Sequence, residues 1–232
     1  MKKNWKTVKV KEKSVNSYEI LLDNNILRTP LKNKLIIPNG KIAEEIHKEW
    51  DQKTKFLNTD NMIFYGIISS SIDKIYKNRK QYINDVLDFV DTDLICYRAD
   101  EPIDLVQWQS KNWDPIISEV ENYINGKINI FKGIMPLRQD EYVHFKITEF
   151  LTQFSDLEIA VLHRITNITG SIFLTLCVLK NDQIKKNAFE LSYLDELWQA
   201  KNWGYEKEAS KNRENTNNEL NRIIYFLDCL RH

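Results

Sequence analysis

The hydrophobic residues of this chain change their spacing once, and that change restricts the fold more than any other feature. Up to residue 37 they alternate or fall in short runs; from about Asp60 onward they return every three or four residues. Residues 7–10 alternate. Residues 18–22 form a β-favouring run that ends in Asp23, Asn24 and Asn25, a turn triplet in which Asn tolerates positive φ. Ile26-Leu27 and Leu35-Ile-Ile37 lie on either side of a turn containing Pro30 and supply further short strands. A small antiparallel meander is expected, its lysines forming a solvated face and edge protection. Pro38-Asn39-Gly40 closes the sheet and opens a helix. The apolar stripe of that helix is Ile42, Ala43, Ile46 and Trp50, with Glu44, Glu45, Lys48 and Glu49 outside. Trp50 should pack this helix onto the sheet. The expected fold class is α+β: a small β-rich N-terminal α/β domain, residues 1–57, followed by a larger all-helical C-terminal domain, residues 58–232.

Within the helical region, residues 62–76 are apolar nearly all round, as at the centre of a bundle, and Ser69, Ser70 and Ser71 offer small side chains for close packing. Residues 105–124 form another helix, with Trp108 and Trp113 inside it and a break expected at Asp114-Pro115. Residues 126–139, with Gly126, Gly133 and Pro136, are the least regular stretch, a short extended segment or a long loop. Ser155 and Glu158 make a capping box that starts a new helix. Residues 171–179 read as a buried core helix and are too short to span a bilayer, which takes roughly 20 residues. Residues 188–204 form one helix whose stripe is Leu191, Leu194, Leu197 and Trp198. Ser192, Asp195, Gln199 and Asn202 take its wet face, and Glu196 shares a flank with Tyr193, Ala200 and Trp203. Gly204 ends it, since a left-handed residue costs glycine nothing. Glu206 and Glu208 follow early in a last helix, where carboxylates favour the positive end of the dipole.

Bulk charge and missing motifs narrow the function. Lys plus Arg equals Asp plus Glu at 33 each, so no basic surplus favours nucleic acid, and no basic patch stands out beyond the N-terminal lysines. Cys96, Cys177 and Cys229 are far apart and form no CxxC pair; a reducing compartment and buried, unreactive thiols are the reading. The start is basic but leads into no apolar h-region and no long Arg- and Ser-rich stretch, which suggests a bacterial cytoplasmic protein or a chain already trimmed. No phosphate-cradling glycine loop, zinc-binding HExxH or serine elbow occurs. Asp91 and Asp93 resemble metal ligands, yet no EF-hand pattern follows them, and N-capping of the segment after Asp91 is the simpler role. His47 reads as a surface histidine; His144 and His163, isolated among apolar neighbours, read as buried and hydrogen-bonded. No catalytic, cofactor-binding or metal residues are assigned. An enzyme with an unrecognised site among Asp91, Asp93, His144 and His163 is the alternative.

Three stretches resemble the family of chaperones that assemble the F-type ATP synthase head by binding its free alpha subunit. They are Ile42-Ala-Glu-Glu-Ile-His-Lys-Glu-Trp-Asp-Gln52; Asp91-Thr-Asp-Leu-Ile-Cys-Tyr-Arg-Ala-Asp100 with Trp113-Asp-Pro115; and Leu194-Asp-Glu-Leu-Trp-Gln199 with Trp203-Gly204. The sequence departs from the family pattern after Asp51, where Asn58-Thr-Asp-Asn-Met-Ile-Phe-Tyr65 replaces a Pro- and Met-containing turn. The resemblance implies a β-rich domain joined to a larger helical one, no cofactor and no reaction. It also implies a chain that is monomeric when free and not inserted in a membrane. Its location would be cytoplasmic in bacteria and the mitochondrial matrix for eukaryotic relatives. The partner it implies is the ATP synthase alpha subunit, whose apolar interface would aggregate before beta covers it. Aromatic anchors with a polar rim suit such exchangeable contacts. The expected contact surface is Glu196 first, then Asp195, Trp203 and Glu206, with Trp50 as structural support. The plainer readings are a solvated helix carboxylate for Glu196 and core packing for Trp50. A general interaction adaptor is the other non-enzyme reading.

Overall fold

The alternating segment forms the expected sheet. The computed structural model of the protein describes residues 1–133 and 138–231. In it β1 (Val8–Ser14), β2 (Ser17–Leu22) and β3 (Asn25–Ile26) make an antiparallel meander in the order β1-β2-β3. Val8 and Ile20 are buried while Lys9 and Lys11 are exposed, the alternation that a half-buried sheet requires. In the turn triplet it is Asp23, not an asparagine, that takes the left-handed conformation (φ 53°). Its carboxylate accepts the Lys6 and Thr7 amides at 3.0 and 2.9 Å. The run Leu35-Ile-Ile37 does not become a strand; only isolated bridges, Arg28 with Lys34 and Tyr18 with Ile37, form there. The neighbouring backbone is instead tied down by side chains: Asp73 accepts from the Thr29 hydroxyl, the Leu31 amide and the Asn33 amide group at 2.7, 3.0 and 2.8 Å.

Helix α1 (Gly40–Trp50) starts where Asn39 accepts the Ile42 amide at 3.0 Å. Ile42, Ala43 and Ile46 are fully buried, as their spacing predicts. Trp50 is buried between Trp5 and Tyr65, with ring centroids 5.1 and 5.0 Å away, so it joins α1 to the N-terminal segment and to α2 (Ile63–Ser70). Glu45 and Glu49 were expected outside, and both are buried. Arg222 of the last helix reaches Glu45 at 2.8 Å and Glu49 at 3.6 Å. Both Glu49 oxygens accept amides of the first turn of α2, Phe64 at 2.8 Å and Tyr65 at 2.9 Å. Met62 provides that helix with no side-chain cap, so a carboxylate from another helix does so.

A π-helical turn, Ser71–Ile75, connects α2 to α3 (Tyr76–Leu87). Beyond it, β4 (Tyr97–Arg98) pairs in parallel with β5 (Phe131–Lys132). Of the irregular stretch 126–139, residues 134–137, including Pro136, lie outside the described residues. Helix α4 (Ile103–Ile124) runs through Asp114-Pro115, where a break was expected. Pro115 and Lys111, whose carbonyl loses its amide partner to the proline, are both exposed residues, so the missing bond does not fall in the buried stripe of the helix. Helix α5 (Glu141–Thr152) precedes α6 (Asp156–Thr169), and the capping box forms: the Ser155 amide donates to Glu158 at 2.9 Å and the Glu158 amide to the Ser155 hydroxyl at 3.3 Å. All of α7 (Ile172–Val178) is buried, as its apolar run predicts. Helices α8 (Asp182–Lys186), α9 (Ala188–Ser192), α10 (Leu194–Trp203) and α11 (Lys207–Arg231) complete the chain.

The α+β class read from the sequence is the observed one. The strands of the meander end at Ile26 and helices follow from Gly40, where Pro38-Asn39-Gly40 was expected to close the sheet. Compactness groups the chain differently: one unit holds Met1–Arg79, Ser155–Val161 and Asn221–His232, the other Lys80–Phe154 and Leu162–Leu220.

Candidate functional site

The stretch 188–204 is two helices, not one. Tyr193 leaves helical geometry (φ −107°, ψ 23°) and separates α9 from α10, while its ring stacks on Phe189 at 4.6 Å. That break shifts the phase of α10 relative to α9, so the expected wet face divides. Gln199 and Asn202 are exposed; Ser192 is buried and Asp195 is turned inward. Both Asp195 oxygens accept from the Gln109 side chain of α4, at 2.9 and 3.2 Å. Burial raises the Asp195 carboxyl above its ordinary value, against the opposing pull of the Gln109 donor.

At the far end of α10, Gly204 takes φ 104° and returns its amide to the Ala200 carbonyl at 2.9 Å. A side chain at this angle would be strained, so glycine makes the corner. The corner brings Glu196, Trp203 and Glu206 together around one shallow recess of about 240 Å³, completed by Gln199, Ala200, Ala209 and Arg213. Trp203 is 75 % exposed and meets the buried Trp198 edge-on at 5.7 Å, so its ring is anchored at one edge and bare elsewhere. Tyr205 beside it is also exposed, with the Arg213 guanidinium 6.0 Å from its ring. Glu196 is only partly covered and borders the recess.

The other flank of α10 borders a larger, mainly apolar groove of about 450 Å³, lined by Trp108, Ile184, Leu191, Leu194 and Leu197 among others. The Lys201 ammonium lies 5.0 Å from the half-exposed Trp108 ring. Sequence reasoning placed Trp108 inside a helix and gave it no site role. The available signal was its phase: Leu105, Gln109 and Trp113 line the buried stripe of α4, and Trp108 falls off it. Of the five residues expected at or behind the contact surface, Glu196, Trp203 and Glu206 share a recess. Asp195 points away from it into α4, and Trp50 is a core residue of the first unit.

The residues of the alternative catalytic reading are spread over three separate places rather than gathered at one. His144 Nε2 and Asp91 are 2.9 Å apart, and the same Asp91 oxygen accepts the Gln139 amide. Asp93 is fully buried and accepts the Ile95 and Phe173 amides, so the expected cap is Asp93 itself. His163 lies against the Tyr82 ring and 3.7 Å from Asp85. Among the described residues no group of three His, Cys, Asp or Glu is arranged to hold a metal ion. The three cysteines are buried, and burial pushes the Cys177 thiol up to about 12. Among the described residues no helix is long and apolar enough to cross a membrane.

Known proteins match nearly the whole chain. The family model described as ATP12 chaperone protein matches residues 2–121. Atp12 from Paracoccus denitrificans is 27 % identical, with a TM-score of 0.87 over 98 % of this chain and 97 % of that one. A point-substituted form of the same protein superposes equally well. A candidate chaperone from Agrobacterium tumefaciens is 30 % identical, with a TM-score of 0.91 over 99 % of this chain and 86 % of that one.

Proposed function

We propose a function that starts from family membership: this chain belongs to the ATP12 chaperone family, whose members are ATP synthase assembly factors. It binds the free alpha subunit of the F-type ATP synthase head and covers its apolar interface until beta replaces it. It does so as a cytoplasmic monomer, without a cofactor and without catalysing a reaction. The observation that carries this reading is the C-terminal end of α10. There a largely bare Trp203 stands between Glu196 and Glu206 at a shallow recess, with an apolar groove on the opposite flank. A wide surface of this kind, aromatic at its centre and polar at its rim, suits a protein partner better than a small substrate. Glu196, Trp203 and Glu206 make the contact, Asp195 supports it from behind, and Trp50 holds the first unit together.

The test is light scattering of isolated alpha subunit diluted from denaturant, with beta subunit and an unrelated aggregating protein alongside. Wild-type chain should suppress aggregation of alpha alone. Glu196→Lys, a change at the recess that leaves the core untouched, should raise the concentration needed for half-suppression by about tenfold, the equivalent of ~1.4 kcal/mol. Equal suppression of all three proteins would support a general adaptor instead. No suppression of alpha would remove the reading altogether.

A further inference from the structure

We propose that Gln109 and Trp113, one turn apart on α4, are positioning residues that fix the direction of α10 and thereby present Glu196 and Trp203 to the partner. The proposal rests on the reading of α10 as the contact helix. Its basis is a clamp on the two sides of the Tyr193 break. Before the break, the Trp113 indole donates to the Leu191 carbonyl at 2.8 Å. In an unbroken helix that carbonyl would accept from the amide four residues on; here a side chain from another helix takes it. After the break, Gln109 donates to both oxygens of Asp195. Residues 109 and 113 stand four apart, so they share one face of α4 and grip both arms of the elbow from a single surface.

The clamp is itself held. Gln109 is 2 % exposed, and its carbonyl oxygen accepts the Ala99 amide at 2.8 Å, which fixes the side-chain amide with its donor toward Asp195. Trp113 is fully buried, with the Arg98 guanidinium 5.2 Å from its ring. Arg98 in turn donates through Nε to the Ile95 carbonyl at 2.9 Å and pairs with Asp114 at 2.9 Å. Gln109 and Trp113 are thus each held by a contact outside α9 and α10 as well as by one to them. A helix that follows a non-helical residue has no intrinsic direction of its own. Without the two bonds the elbow could swing about Tyr193, and the recess built on Gly204 would move with it. The clamp gives Asp195 a place behind the recess, which it does not line.

A polarity swap tests this. Gln109→Glu sets a carboxylate against Asp195 and removes the donor, while its second oxygen can still accept the Ala99 amide. Asp195→Asn keeps an acceptor for Gln109. Combined, the two changes reverse donor and acceptor and restore the bond. Each variant is measured for suppression of alpha-subunit aggregation and, after 5-fluorotryptophan labelling, for the fluorine resonance of Trp203, assigned with Trp203→Phe. Gln109→Glu should lose about fivefold or more in suppression and shift the Trp203 resonance. Asp195→Asn should stay within about twofold, and the double variant should return both readouts toward wild type. A general loss of structure would not be mended by the second substitution. If Asp195→Asn alone loses as much as Gln109→Glu, and the pair is no better, Asp195 is a contact and the clamp is wrong. If Gln109→Glu changes neither readout, the clamp is equally wrong. Should Gln109→Glu fail to fold, Trp113→Phe decides, since it keeps an aromatic six-membered ring in the core and deletes the donor to Leu191. A shift of the Trp203 resonance supports the clamp and an unmoved one overturns it. Failure of the wild-type chain to protect alpha would refute the client, whereas the Trp203 resonance reports on the elbow independently.

Discussion

Asp93→Ala is expected to lower the free energy of unfolding by about 4 kcal/mol, because two buried amides lose their acceptor and each costs about 1–3 kcal/mol. Asp93 has no exposed surface, and it accepts the Ile95 amide at 3.2 Å and the Phe173 amide at 3.0 Å. It thus closes the 3₁₀ turn Leu94–Cys96 and the first turn of α7 at once, two elements far apart in sequence. Alanine leaves both donors dry. For a chain of this size the midpoint of thermal unfolding should fall by about 8–16 °C, at roughly 2–4 °C per kcal/mol. Asp93→Asn, which retains one acceptor oxygen, should lose about half as much. Urea unfolding followed by circular dichroism would measure both. A loss below about 1 kcal/mol for the alanine variant would show that water reaches these amides.

Glu49→Ala should cost about 3 kcal/mol for the same reason, since both oxygens cap α2 from a site that is 5 % exposed. The nearby Arg222 side chain is too exposed for its ion pair to add much. Glu49 also makes stability depend on pH. Burial raises its carboxyl from 4.5 to about 7, against the two amides and Arg222, which favour the charged form. A raised folded-state value means that the folded chain binds the proton more tightly than the unfolded one. The resulting stability is complete below about pH 4.5 and is lost as the pH rises through 7, at up to ~1.4 kcal/mol per pH unit. Asp93, also raised to about 7 by burial, acts with the same sign. Glu19, Glu45, Asp73 and Asp91 are lowered, so their contributions vanish only at more acid pH. His163, lowered by burial, opposes the trend below about pH 6.5. Wild-type chain should therefore be less stable at pH 8 than at pH 6. Glu49→Gln, which carries no ionisable group, should show a shallower fall and lose its disadvantage as the pH rises. Parallel pH profiles for the two proteins would refute the assignment to Glu49.

Much of this architecture could be read from residue order because its determinants are local. The period-two run that ends at Asp23, the Asn39 cap, the Ser155 and Glu158 box and the all-apolar α7 each involve residues a few positions apart. The recess belongs to the same class. Glu196 and Trp203 lie on one helix, and Gly204 folds Glu206 back beside them, so the chain itself brings the three together. Charged residues were misjudged wherever a distant segment covered them. Glu45, Glu49 and Asp195 look like solvated positions until Arg222, the first turn of α2 and Gln109 arrive over them. The Tyr193 break and the unbroken α4 at Pro115 were missed for a related reason. A helix bends or continues according to what neighbouring side chains and solvent do for its backbone groups.

Residue order was therefore enough for the α+β class, the position of the strand-to-helix change, the caps and the acid-aromatic corner after α10. All of these arise from spacing and turn chemistry acting over one or two helical turns. Long-range packing set the rest: which carboxylates are buried, which amides they close and how α10 is aimed. Those outcomes depend on donors and acceptors supplied from remote stretches, and hydrophobic spacing carries no record of them.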